Sequence, residues 1–216
     1  MGCKGSKRCL QVYLSERREI LEKEIRKKWG KVQSIEWLGP KMVEGEWDWK
    51  ELAGNSFWKA LRIDPQRTRD FWPARGPHWD AVAKLTLTSG SNHYILFEAK
   101  ANVSELKSYL RAGDKCGQRT KIEQSLCTYS HNVRGYYQTC NRLAHLNYIR
   151  KEFPAVKVSL CYLLFTNDNS HIPTRREEWL YALGIEHDKF QYSSQDAQAV
   201  FNYIFLDCSA FISLNS

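Results

Sequence analysis

Two carboxylates and an amine, Asp80, Glu98 and Lys100, bracket the run WDAVAKLTLTSGSNHYILFEAKAN at 79–102, and their types and spacing suit one chemistry. Paired carboxylate oxygens bind a hard divalent cation, Mg²⁺ or Mn²⁺, which prefers oxygen ligands and keeps part of its water. A metal so held polarises a phosphoryl oxygen and lowers the pKa of its water, giving a nucleophile at neutral pH. A lysine two residues beyond a metal-bound carboxylate orients that water and offsets charge in the transition state. The backbone carbonyl of Ala99, between Glu98 and Lys100, supplies a further oxygen. The expected metal ligands are therefore Asp80, Glu98 and Ala99, and the expected catalytic residues Asp80, Glu98 and Lys100.

Such a set needs a hairpin to position it. Two apolar-rich runs flank Ser89-Gly90-Ser91-Asn92, the pattern of paired strands around a turn. With the loop centred on Gly90, Asp80 lies opposite Lys100 and Val82 opposite Glu98, and all four share one face. A two-residue turn at Gly90-Ser91 instead puts Asp80 on the opposite face. The competing reading is an aspartate at a strand start and an exposed cross-strand pair of Glu98 with Lys100, as many hairpins carry. Against it, these charges close the run Tyr94-Ile95-Leu96-Phe97, which is too apolar for a solvated edge.

On these residues the chain resembles the PD-(D/E)XK nuclease superfamily. The proline-aspartate of that motif is Trp79-Asp80 here, with Pro77 three residues before the aspartate, and its second half is intact as Glu98-Ala99-Lys100. The resemblance implies that Asp80 and Glu98 bind Mg²⁺ or Mn²⁺ and that Lys100 assists the attacking water. It also implies hydrolysis of a phosphodiester, in DNA before RNA, to leave a 5′-phosphate. The superfamily commonly places a glutamine on the helix after the hairpin, which implies Gln138 near the metal and Arg142 or Asn141 at the substrate. Phe71-Trp72-Pro73, Trp79-Asp80, Glu98-Ala99-Lys100-Ala101 and Tyr136-Tyr137-Gln138 through His145-Leu146 also resemble a bacterial group of this kind.

The charge distribution agrees with a polyanionic partner. Residues 1–150 hold 27 Lys/Arg against 16 Asp/Glu, whereas 151–216 hold 5 against 8, within an overall +8. Seven scattered cysteines form no Cys-x-x-Cys or zinc-finger spacing, which fits a reducing cytoplasm. No apolar run approaches the roughly 20 residues of a membrane span. Met1-Gly2-Cys3-Lys4-Gly5-Ser6 matches a lipidation pattern that short basic termini also produce by chance. The partners expected are nucleic acid, no membrane, and at most a second copy in a homodimer.

The length and the single run of elements predict one nuclease-like domain over 1–216, with 1–12 a flexible basic tail. A helix capped by Ser15 runs to about Trp29, and Glu19, Glu22 or Glu24 in it is a candidate further acidic ligand. Residues 33–38 read as a strand. The aromatics between 44 and 79 read mainly as core, although interleaved arginines also suit base stacking; Arg75 is placed near a phosphate. Helical pattern follows from about Gln118 to Phe153, broken near 132–135. Within it Gln138, Asn141, Arg142 and His145 form a polar stripe, and a solvated face is expected for His145. Val156–Thr166 reads as a strand buried on both faces, and Thr174 begins a helix to about Leu183. Ala199–Leu206 reads as a last strand. The fold class is α/β, with the restriction-endonuclease-like αβββαβ core as the resemblance implies.

Two other functions compete with the nuclease. One is a catalytically inactive nuclease-fold protein that binds nucleic acid or a protein partner. The other is a small-phosphate hydrolase, which lacks the Gly-rich phosphate cradle expected of it. Serine and cysteine hydrolases are disfavoured because no Gly-x-Ser-x-Gly elbow is present.

Overall fold

Helices α1 (Gly5–Glu16) and α2 (Arg18–Trp29) lead into strand β1 (Val32–Gly39) and a small hairpin of β2 (Lys41–Val43) with β3 (Glu46–Asp48). Helix α3 (Gly54–Ala60) precedes the long hairpin of β4 (Ala81–Leu87) and β5 (Asn92–Lys100). Helices α4 (Gln118–Tyr129) and α5 (Tyr137–Glu152), strand β6 (Val158–Thr166), helix α6 (Arg176–Phe190) and strand β7 (Phe201–Asp207) follow. This computed structural model describes residues 4–73, 76–113, 117–192 and 200–214.

The main sheet has the order β1-β4-β5-β6-β7, antiparallel as far as β5 and parallel beyond it. The parallel pairs require crossovers, which α4 and α5 supply between β5 and β6 and α6 supplies between β6 and β7. The protein is therefore α/β, a mixed sheet flanked by helices. Strand β6 is buried along its whole length, as its uninterrupted apolar run predicts.

Strand alternation sorts the core into two layers. Tyr94, Leu96, Leu160, Tyr162 and Leu164 pack against residues of α3, α4, α5 and α6. Ile95, Phe97, Ala99, Cys161, Leu163 and Phe165 pack against α1 and α2. Glu98 and Lys100, in step with Tyr94 and Leu96, consequently face the α5 layer.

Three expectations are corrected here. Residues 5–12 are not a loose tail but most of α1, with Cys9, Leu10, Val12, Tyr13 and Leu14 buried against the sheet. The basic residues of that stretch hide an apolar helical stripe with spacing 9, 10, 13, 14. Ser15 does not cap α2; it belongs to α1 and donates to the Gln11 carbonyl at 2.8 Å. Helix α6 runs to Phe190, because Trp179, Leu183, Glu186 and Phe190 continue one buried stripe. The lipidation pattern at 1–3 lies outside the described residues. No described helix is long and apolar enough to cross a membrane.

Candidate active site

The register of the β4–β5 hairpin decides whether the carboxylates meet. Thr86 pairs with Asn92 and Ala81 with Phe97, so the next pair outward sets Asp80 opposite Glu98. The expected pairing of Asp80 with Lys100 is displaced by two residues. Gly90 sits in the left-handed region at φ +81, and the loop closes by Leu87 N–H to the Ser91 carbonyl at 2.9 Å. A two-residue displacement preserves the face, so Asp80, Glu98 and Lys100 share the side toward α5.

Asp80 owes its position to its neighbour. Trp79 is fully buried, its backbone N–H donates to the Leu52 carbonyl at 3.0 Å, and its ring packs 5.4 Å from Phe57. Past this anchor β4 has not yet begun, and Asp80 Oδ2 accepts the Ala99 N–H at 2.8 Å in place of a ladder bond. Burial first, and the Glu98 charge second, push the Asp80 carboxyl up to about 7, against the opposing pull of Ala99, Arg142 and Lys100. The residue as a whole is half-buried, while its carboxyl is turned inward toward Ala99 and Glu98.

Glu98 is 1% exposed and carries two cations. Arg142 Nε donates to its Oε2 at 2.6 Å, and Lys100 Nζ stands 2.8 Å from its Oε1. Burial alone would raise this carboxyl; Arg142 and Lys100 more than offset that and hold it below the ordinary carboxylate range. The directed hydrogen bond of Lys100 goes to Gln138 Oε1 at 2.7 Å. The Lys100 contact with Glu98 Oε1 is thus an ion contact, and this buried oxygen lacks a hydrogen-bond donor of good geometry among the described residues.

Helix α5 provides the other wall. Gln138, implied to lie near the metal, accepts from Lys100 Nζ at 2.7 Å. Arg142 departs from its implied role at the substrate, being 4% exposed and committed to Glu98 and, at 2.8 Å, to the His78 carbonyl. Its guanidinium also lies 4.8 Å over the Trp79 ring. Asn141, at 5% exposure, donates to the Tyr137 hydroxyl at 3.3 Å and also faces inward. His145 overturns the expectation of a solvated face, since it is 1% exposed among aromatic rings. Arg75 lies outside the described residues.

The glutamates of α2 do not reach the site, because α2 covers the other face of the sheet. Glu22 accepts from Trp37 Nε1 at 3.1 Å, Glu24 pairs with Lys27 at 3.8 Å, and Glu19 is exposed. A different carboxylate stands behind the site. Glu186 of α6 is fully buried, accepts from Thr139 Oγ1 at 2.7 Å, and leaves Oε2 without a partner among the described residues. Tyr162 donates to Thr139 Oγ1 at 3.1 Å. Burial pushes Glu186 up to about 7, with the Thr139 bond and the charges of Lys100 and Lys107 opposing.

The donor set fits a hard divalent ion. Asp80 and Glu98 offer carboxylate oxygens, one of them buried with only the Lys100 ion contact, and Ala99, paired with Leu163 of β6, lies just past the last β4–β5 pair, where Asp80 takes the place of β4. Among the described residues no group of three or more His, Cys, Asp or Glu gathers, so an ion held by Asp80 and Glu98 would have few protein ligands. Such an ion would supply Lewis-acid polarisation of a phosphoryl oxygen. Lys100, held between Glu98 and Gln138, would hold a water or an anionic oxygen there once such an ion is bound. Arg142 locks the Glu98 rotamer and keeps it ionised.

No protein-family model, curated protein or solved structure matches the chain. The chemistry of the site is therefore argued from its own side chains.

Proposed function

We propose that the protein is a metal-dependent nuclease of PD-(D/E)XK type that hydrolyses phosphodiester bonds in DNA. The observation that carries this reading is the convergence of Asp80, Glu98 and Lys100 on one face of a hairpin, with Gln138 reaching the lysine from the next helix. The order α2, β1, β4, β5, α5, β6 supports it, being the αβββαβ order that the resemblance implies. The basic balance of residues 1–150 supports a nucleic-acid partner. A cytoplasmic location and a homodimer belong to the same proposal.

One observation favours the binding-only alternative. Lys100 and Arg142 already balance the charge of Asp80 and Glu98, and Glu98 is all but inaccessible. The deciding experiment incubates plasmid and single-stranded DNA with the wild type and with Lys100→Ala, in Mg²⁺, Mn²⁺ or EDTA. Metal-dependent cleavage lost in the variant supports the nuclease. Salt-sensitive DNA binding without cleavage by the wild type transfers support to the alternative, and cleavage that survives in Lys100→Ala removes the assignment.

A further inference from the structure

One helical turn from Arg142, His145 faces a cavity of about 300 Å³ between α3, α5 and the segment leading to Trp79. That is the lower end of ligand-pocket sizes, about 300–1,000 Å³. Trp58, Trp72, Arg69, Lys121 and Gly76 line it beside His145. The imidazole is enclosed by rings, with Trp58 stacked at 5.9 Å and 20° and Trp72 at 4.7 Å.

The protonation of this histidine follows from geometry. Nδ1 lies 2.9 Å from the Asn141 carbonyl, which can only accept, so Nδ1 carries the hydrogen and Nε2 the lone pair. Burial disfavours the charged ring and pushes its pKa down to about 3, keeping it neutral. The hydrogen bond seen for the ring among the described residues is that of Nδ1. A Cβ built on Gly76 would stand 3.7 Å from Nε2, which places Nε2 toward the cavity wall that Gly76 forms. An acceptor that faces a cavity flanked by indoles suits a flat ring that brings an N–H. At the rim, Arg69 is exposed with no ion-pair partner among the described residues, and Lys121 Nζ donates to the Arg69 carbonyl.

We propose that this cavity receives a single nucleobase of an unpaired nucleotide, its N–H donating to His145 Nε2, its face against Trp58 and Trp72, and its phosphate met by Arg69 and Lys121. This assignment rests on the nuclease reading for its substrate class and narrows it to strands with accessible bases. Arg142 and His145 are three residues apart, so their Cβ atoms are separated by about 5–6 Å on one helix face. A base held at His145 therefore positions its strand beside the carboxylates.

Calorimetric titration of the metal-free wild type in EDTA with 2′-deoxyadenosine 5′-monophosphate tests this, with phenyl phosphate as the ligand that has a ring and phosphate but no N–H. The nucleotide is expected to bind, phenyl phosphate about tenfold more weakly, and His145→Phe to lose about tenfold for the nucleotide alone. Arg69→Ala, an exposed position that does not threaten folding, should weaken the nucleotide but not 2′-deoxyadenosine. Equal binding of both ligands, no nucleotide binding at millimolar concentration, or indifference to His145→Phe overturns the proposal. If His145→Phe does not fold, Arg69→Ala and the ligand pair decide. Nucleotide binding without cleavage of either plasmid or single-stranded DNA would remove the nuclease reading and leave the pocket; cleavage without nucleotide binding would remove the pocket alone.

Discussion

Replacing Arg142 by methionine keeps the length of the side chain and removes its charge. The guanidinium stands 2.6 Å from a Glu98 oxygen that is nearly inaccessible to water. At an effective dielectric of about 20 the attraction at that separation is about 6 kcal/mol, most of which offsets the cost of burying both ions. Deleting one partner is a different matter, because Glu98 stays buried with its charge uncompensated, and such deletions cost about 3–5 kcal/mol. Lys100, 2.8 Å from the other oxygen, keeps part of the compensation, so about 3 kcal/mol is expected. For a chain of this length that lowers Tm by about 6–12 °C. The loss should be largest near pH 8 and shrink toward pH 5. In the parent the depressed Glu98 pKa contributes stability above the ordinary carboxylate range, whereas in the variant the carboxyl rises and its protonation relieves the penalty. Urea melts of Arg142→Met, Glu98→Gln and the double variant measure the effect, with the double expected to lose well under the sum of the singles. A loss below about 0.5 kcal/mol for Arg142→Met, a value typical of surface substitutions, would refute the reasoning, as would strict additivity in the cycle.

Asp80→Asn should flatten the metal-free stability profile. The native carboxyl titrates at about 7, above its ordinary value, so native stability is full at acid pH and declines as pH rises from about 4 through 7. Discounted for partial exposure, the substitution is expected to stabilise by about 1–2 kcal/mol at pH 8 and little at pH 5, read from paired thermal melts in EDTA. Addition of Mg²⁺ at pH 8 should raise Tm of the parent and not of this variant. Glu186→Gln keeps an acceptor for Thr139 and removes the second carboxyl that titrates near 7, so it should stabilise above pH 7 and leave melts at pH 4 unchanged. Leu14→Ala, at a residue 1% exposed, should cost about 2–5 kcal/mol in a urea melt, whereas a loose N-terminus would make it neutral.

The chemistry-bearing strand was the most legible part of the sequence, because charges at the end of Tyr94–Phe97 cannot sit on a solvated edge without exposing that run. The exact register was not. It depends on how four loop residues close around Gly90, and composition constrains that weakly. Helix α1 was hidden because Lys4, Lys7 and Arg8 dominate its composition while the spacing of Cys9, Leu10, Tyr13 and Leu14 carries the fold. The burial of His145 is illegible for a related reason. A polar stripe on an isolated helix belongs in water, yet α5 is covered on one side by the sheet and on another by the aromatics of 57–79. Glu186 is not legible because a helix ending at Leu183, as the sequence predicts, stops one turn short of the stripe that carries it inward.

The way Asp80 meets Glu98 sets a rule for length variation at the Ser89–Ser91 tip. Lengthening that tip by one residue, with the far strand held in place, would turn the aspartate toward the α1–α2 layer and dismantle the cluster. Lengthening it by two would slide the aspartate along the groove and leave its direction intact. Working homologues should therefore differ there by even increments, a ratchet built into the pleat itself.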